Sequence, residues 1–81
     1  MKIKYFAWIR ELTKNEEECL DSYKINNLNE LKTFLSTKYP PLQKHFDQEI
    51  LRFAVNQEYV VTNIDLDKDD EIAVFPPVSG G

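Results

Sequence analysis

Two proline pairs, Pro40-Pro41 and Pro76-Pro77, fix where regular structure in this chain has to stop. Proline lacks the backbone N–H and pushes the preceding residue out of the helical region, so a helix ends before the first pair and a sheet ladder before the second. The stretch before Pro40, Asn27 to Tyr39, reads as the main helix. Leu28, Leu31 and Leu35 form an apolar stripe with Phe34 beside them, Asn27 stands at the N-cap, and Glu30 is placed to reach back as in a capping box. The stretch before Pro76, Glu71 to Phe75, alternates as a strand, with Ile72 and Val74 inward and Phe75 outward.

Around these two anchors the remaining elements fall into order. Lys2 to Arg10 is predicted as a strand, with Ile3, Tyr5, Ala7 and Ile9 on one face and Phe6 and Trp8 on the other. Thr13 to Glu18 is a polar turn, and Glu18 to Ile25 the return leg of a hairpin. Leu42 to Glu49 is expected as a short helical turn carrying Phe46 inward. Leu51 to Asn56 is a strand with Leu51, Phe53 and Val55 on one face; Gln57-Glu58 turns the chain into a short strand, Tyr59 to Thr62. Leu66 to Asp70 is a polar turn. This order predicts an α+β fold: a β-grasp (ubiquitin-like) roll, a mixed sheet with one main helix packed on it. The last strand would lie beside the first and leave the tail projecting. Residues 1–75 form the expected domain and 76–81 a flexible C-terminal tail.

That tail has its own chemistry. Pro76-Pro77 holds its start extended, Val78 and Ser79 are small, and Gly80-Gly81 has no side chains and ends in a carboxylate. Two glycines let a terminus enter a channel too narrow for any Cβ. A carboxylate is a poor acyl donor until adenylation gives it a leaving group. Once activated, the Gly81 carboxyl can take sulfur and become a thiocarboxylate, or acylate a lysine.

Composition limits what else the chain can do. At 81 residues a domain buries only about 60% of its unfolded surface, which leaves little room for a pocket holding a full catalytic set. The net charge of -4 and the lack of a Lys/Arg cluster argue against nucleic acid as partner. No span is apolar enough for a membrane, no signal segment is evident, and the lone Cys19 forms no internal disulfide; the expected compartment is cytoplasmic. Cys19 reads as a half-buried strand residue and His45 as a surface residue on a helix or loop. The acidic groups Glu16-Glu17-Glu18 and Asp67-Asp69-Asp70 lack calcium-loop spacing, so no metal site is expected. No phosphate-binding glycine loop is present, so any ATP must be held by a partner and no cofactor is expected to be bound.

Several segments together carry a resemblance. They are Phe6-Ala7 followed by Arg10-Glu11, Ala54-Val55-Asn56, Asp70-Glu71, and Phe75-Pro76-Pro77-Val78-Ser79-Gly80-Gly81. With these, the chain resembles, nearly end to end, the small subunits of molybdopterin synthase, a family of ubiquitin-like sulfur carriers. The resemblance implies that a ubiquitin-activating-like adenylyltransferase adenylates Gly81, using ATP, and that a sulfur donor protein converts it to a thiocarboxylate. Val78, Ser79 and Gly80 would then enter the active site of the large synthase subunit, in a heterotetramer of two small and two large subunits. Sulfur would pass there to cyclic pyranopterin monophosphate, forming the molybdopterin dithiolene. The catalytic side chains would belong to the large subunit, making this chain the sulfur-donor subunit of a sulfurtransferase. Phe6 and Phe75, expected on adjacent strands, match positions that dock on the large subunit, and Tyr59 is placed with them; Trp8 stands between docking residue and loop-covered aromatic. Asp69 departs from the glycine common at that turn, and an aspartate tolerates left-handed backbone angles there. Two other readings stay open: a sulfur carrier for thiamine or tRNA thiolation, and a ubiquitin-like modifier conjugated through Gly81.

Overall fold

The first strand, β1 (Lys2–Tyr5), is shorter than the alternation of its residues predicts, and its partner is the reason. In this computed structural model, which describes residues 1–20 and 25–77, β1 runs parallel to β5 (Glu71–Phe75), with Tyr5 in register with Val74. One step further Phe6 N–H donates to the Val74 carbonyl at 3.0 Å. The next position along β5 leads to Pro76, which has no N–H to continue the ladder. The chain therefore leaves the sheet: Ala7 takes φ 54, and Trp8–Thr13 form a short helix, α1. The expected strand from Lys2 to Arg10 is thus a strand and a helix. Ile9 is buried as expected, but from α1.

After α1, Lys14 closes the helix in the left-handed region and the chain returns as β2 (Glu17–Cys19), antiparallel to β1. The predicted return leg, Glu18 to Ile25, begins one residue earlier, and its positions 21–24 lie outside the described residues. Pairing of Ile3 with Glu18 puts a carboxylate on the inward face, which is why the alternation in this strand is hard to read. Cys19, expected to be half-buried, is exposed at the end of the strand opposite Lys2.

The main helix, α2 (Leu28–Lys38), forms where the apolar stripe and the cap predict it. Its first four N–H groups all have acceptors: Ile64 O for Leu28, Asn63 Oδ1 for Asn29, Asn27 Oδ1 for Glu30 and Asn27 O for Leu31. Glu30 reaches back one residue beyond the cap, accepting from Asn26 N–H at 3.0 Å. Leu28, Leu31 and Leu35 are buried. A 3₁₀ turn (Pro40–Leu42) and α3 (Gln43–Asp47) follow, and Phe46 stacks on Phe53 with ring centroids 6.1 Å apart.

β3 (Arg52–Val55) and β4 (Glu58–Val60) form a hairpin whose turn residues, Asn56 and Gln57, have φ 51 and 71. This is the two-residue type I′ geometry, one position earlier than the expected Gln57-Glu58 turn. Leu66, expected in a polar turn, is buried in the core; Asp65 bridges to Asn27 and brings it inward. The turn before β5 is held by Asp70, whose carboxylate accepts from Asp67 N–H and Asn56 Nδ2, both at 2.8 Å. Asp69 does not take positive φ, so this turn makes no use of the left-handed angles expected there.

Among the described residues five strands form one mixed sheet in the order β2-β1-β5-β3-β4, with only β1 and β5 parallel. Ile3, Tyr5, Phe53, Val55, Ile72 and Val74 point to one side and pack against Leu28, Leu31, Leu35 and Leu42. This is the β-grasp arrangement, with the last strand at the centre of the sheet.

Candidate functional site

The end of β5 sets the site. Phe75 is the last strand residue; Pro76 is partly covered and Pro77 exposed. The expected sulfur-carrying residues Val78, Ser79, Gly80 and Gly81 lie outside the described residues.

On the sheet face away from the helices, the register aligns Lys4, Ala73, Ala54 and Tyr59 across four strands, with Phe75 opposite Arg52 in the next row. Tyr59 is 57% exposed and Phe6 46%, enough for both rings to meet another molecule. The Phe75 ring lies 6.1 Å from that of Tyr59. Ala54 and Ala73 between them are small, so the patch has a shallow floor. Contiguous exposed aromatics of this kind mark docking surfaces. Phe6 is not on a strand, contrary to expectation, yet its bond to Val74 O sets it beside the end of β5.

Charged pairs rim the patch: Lys4–Glu71 at 3.2 Å and Lys2–Glu17 at 3.3 Å. The hydrogen bond that Lys2 donates to Glu17 raises the Lys2 pKa. These pairs are exposed and contribute little to stability.

Trp8 stands apart from this face. It opens α1, and its ring packs on the His45 imidazole at 4.7 Å. His45 lies on α3, as expected of a helix residue, but partly buried.

One cluster escaped the sequence reading. Glu18, whose side chain is only 14% exposed, accepts from Tyr5 OH at 2.5 Å and Tyr39 OH at 2.6 Å on one oxygen, and from Lys38 Nζ at 2.5 Å on the other. Burial pushes its pKa up, but the bonds from Lys38, Tyr39 and Tyr5 outweigh that and hold it below the usual value. Burial and the neighbouring carboxylate raise both tyrosines. A glutamate at an inward strand position, opposite Ile3, is the signal that points to this cluster. Its groups tie β2 to β1 and to the end of α2.

Among the described residues, no group of three or more His, Cys, Asp or Glu side chains is arranged to hold a metal ion. No helix among them is long and apolar enough to cross a membrane.

The sheet order and the packed helix define a ubiquitin-like domain whose central strand leads into the C-terminal residues. The chain belongs to the ThiS family, whose model matches residues 3–81. The molybdopterin synthase sulfur carrier subunit of Caenorhabditis briggsae is 32% identical over 83 residues, covering 100% of this chain and 96% of that one. Among solved structures, small archaeal modifier protein 1 from Methanosarcina acetivorans superimposes with a TM-score of 0.81 at 26% identity, covering 99% of this chain and 94% of that one. A protein–protein complex of subunits 1 and 2 of molybdopterin-converting factor from Helicobacter pylori matches with a TM-score of 0.69 at 27% identity, covering 99% and 96% of the two chains.

Proposed function

We propose that this chain is a sulfur carrier subunit of molybdopterin synthase and that the Gly81 carboxylate bears the sulfur. The observation that carries the reading is a family match reaching through residue 81, joined to an exposed aromatic face beside the root of the tail. Full-length relatives bearing that name support it.

In this reading residues 1–75 are a rigid platform and residues 76–81 the delivered segment. A carboxylate oxygen of Gly81 attacks the α-phosphate of ATP held by an adenylating partner, and pyrophosphate leaves. Sulfur at the sulfide level, delivered by a donor protein, then attacks the carbonyl carbon, a C–S bond forms as the C–O bond to AMP breaks, and a thiocarboxylate is left. Phe6, Tyr59 and Phe75 dock on a large synthase subunit, and Val78, Ser79 and Gly80 thread into its active site. There the sulfur passes to cyclic pyranopterin monophosphate. The acid–base side chains belong to that subunit, and the complex contains two copies of each. The neighbouring structure of the two converting-factor subunits supports a partner of this kind. The chemistry fits a reducing cytoplasm.

A second reading is favoured by the likeness to small archaeal modifier protein 1: the activated Gly81 acylates a lysine of another protein. Intact mass separates the two. Protein purified from cells making molybdenum cofactor should gain the difference between one sulfur and one oxygen, and lose that gain when Gly81 is deleted. An unmodified mass together with isopeptide-linked species overturns the sulfur-carrier reading.

A further inference from the structure

The β3–β4 hairpin has a second usable side. Toward the helices, a cavity of about 470 Å³ opens between β4, α2 and α3. Leu28, Phe46, Phe53 and Val60 make its apolar floor, and two cations, Lys32 and Arg52, and one carboxylate, Glu49, stand at its margin. The Lys32 ammonium lies 5.4 Å above the Phe53 ring. The Arg52 guanidinium donates to the Glu49 backbone carbonyl at 2.7 Å, which leaves most of its N–H donors for another acceptor. Neither cation pairs with a carboxylate among the described residues, whereas Lys2, Lys4, Arg10 and Lys38 all do.

The backbone beside this cavity is also open. β4 is an edge strand. The two-residue turn makes Val55–Glu58 a hydrogen-bonded pair, so Ala54–Tyr59 is a non-hydrogen-bonded one. The N–H and C=O of Tyr59 therefore point away from β3, toward a strand position that nothing described fills. An edge, a trough with an apolar floor and two cations that outnumber the one carboxylate beside them describe the recognition of an extended peptide by strand addition.

We propose that this groove binds an extended acidic segment of a partner protein, which pairs with β4 at Tyr59, seats apolar side chains on Phe46 and Phe53, and sets carboxylates against Lys32 and Arg52. The charge pattern selects the occupant. A basic segment meets two like charges against the single Glu49 carboxylate at the margin, and a second copy paired edge to edge brings both sets of cations together. The groove opens toward the helices, whereas Phe6 and Phe75 belong to the opposite side of the sheet, and Tyr59 and Arg52 are shared between the two.

The test titrates a short, end-blocked peptide alternating isoleucine and glutamate into the full chain, followed by amide chemical shifts. Shifts should centre on Tyr59, Val60, Val61 and Lys32, with slowed exchange of the Tyr59 amide. The Lys32→Glu/Arg52→Glu double variant should bind about tenfold more weakly or worse. Lys32→Gln, which removes the charge and keeps a long polar side chain, should weaken binding severalfold while leaving the free protein's amide spectrum unchanged away from position 32 and Phe53. Equal affinity for a peptide with lysine in place of glutamate overturns the proposal. So do shifts centred on Phe6 and Ala73, or concentration-dependent shifts of the Tyr59 amide without peptide, which mean that a second copy occupies the edge.

Discussion

Tyr59 and Phe75 come from strands that are not neighbours, and their rings meet at 6.1 Å, tilted by 46°, across β3. Ala54, paired with both Tyr59 and Ala73, leaves room beneath them. Phe75→Ala should therefore remove its own ring and the support of Tyr59 together. Its affinity for a large synthase subunit, measured by calorimetry, should fall by about 2 kcal/mol or more, and Phe6→Asp should act in the same direction. Unchanged far-ultraviolet circular dichroism would show that the fold survives. Unchanged affinity would remove these residues from the docking face.

The Glu18 cluster makes stability depend on pH at both extremes. The carboxyl is held below its ordinary value of 4.5, so the stability it contributes is present above that value and is lost as pH falls through the lowered one. Tyr5 and Tyr39 are raised above 10.0, so their contribution is present below that value and fades as pH climbs through the raised ones. Glu18→Gln should cost about 1–3 kcal/mol at neutral pH and flatten the acid limb in urea unfolding. Tyr39→Phe should flatten the alkaline limb. An acid limb of unchanged slope in Glu18→Gln would assign it to other carboxylates.

Asn56 and Gln57 both hold positive φ, but only Asn56 is tied by its side chain, donating to Asp70 and accepting from Glu71 N–H. Gln57→Gly should stabilise the chain by about 0.5–1 kcal/mol by relieving left-handed strain. Asn56→Ala should destabilise it by about 1–2 kcal/mol, since it keeps the strain and frees two polar partners. Denaturant midpoints of the pair should move in opposite directions; a shift of both the same way would contradict this account of the turn.

Leu35 is fully buried where α2 crosses the sheet. Leu35→Ala should lose about 2–5 kcal/mol in chemical denaturation, a large share of what a domain this small possesses. A loss under 1 kcal/mol would mean that the core closes over the gap.

The sequence was most readable where one residue type had one physical reason to be there. Asn27 before a leucine stripe, Pro40 after it, and Ile72 and Val74 alternating before Pro76 each marked an element that the structure contains. It was least readable where the deciding partner lay far along the chain. Nothing between Lys2 and Arg10 says that the strand stops at Tyr5; that follows from Pro76, at the far end. Glu18 looked like part of a solvated acidic turn because the groups that hold it inward, Tyr39 and Lys38, come twenty residues later. Leu66 was hidden among aspartates, and the bridge from Asp65 to Asn27 is a tertiary fact. The aromatic face was legible as a set of candidates, but its separation from Trp8 depended on the unforeseen α1.

β5 lies between β1 and β3, and it ends at Phe75, directly before Pro76 and Pro77. A partner that grips the C-terminus and draws it in thus pulls on the most deeply held strand of the sheet, along its length. Such a load is shared by the ladders on both flanks, which must slip together.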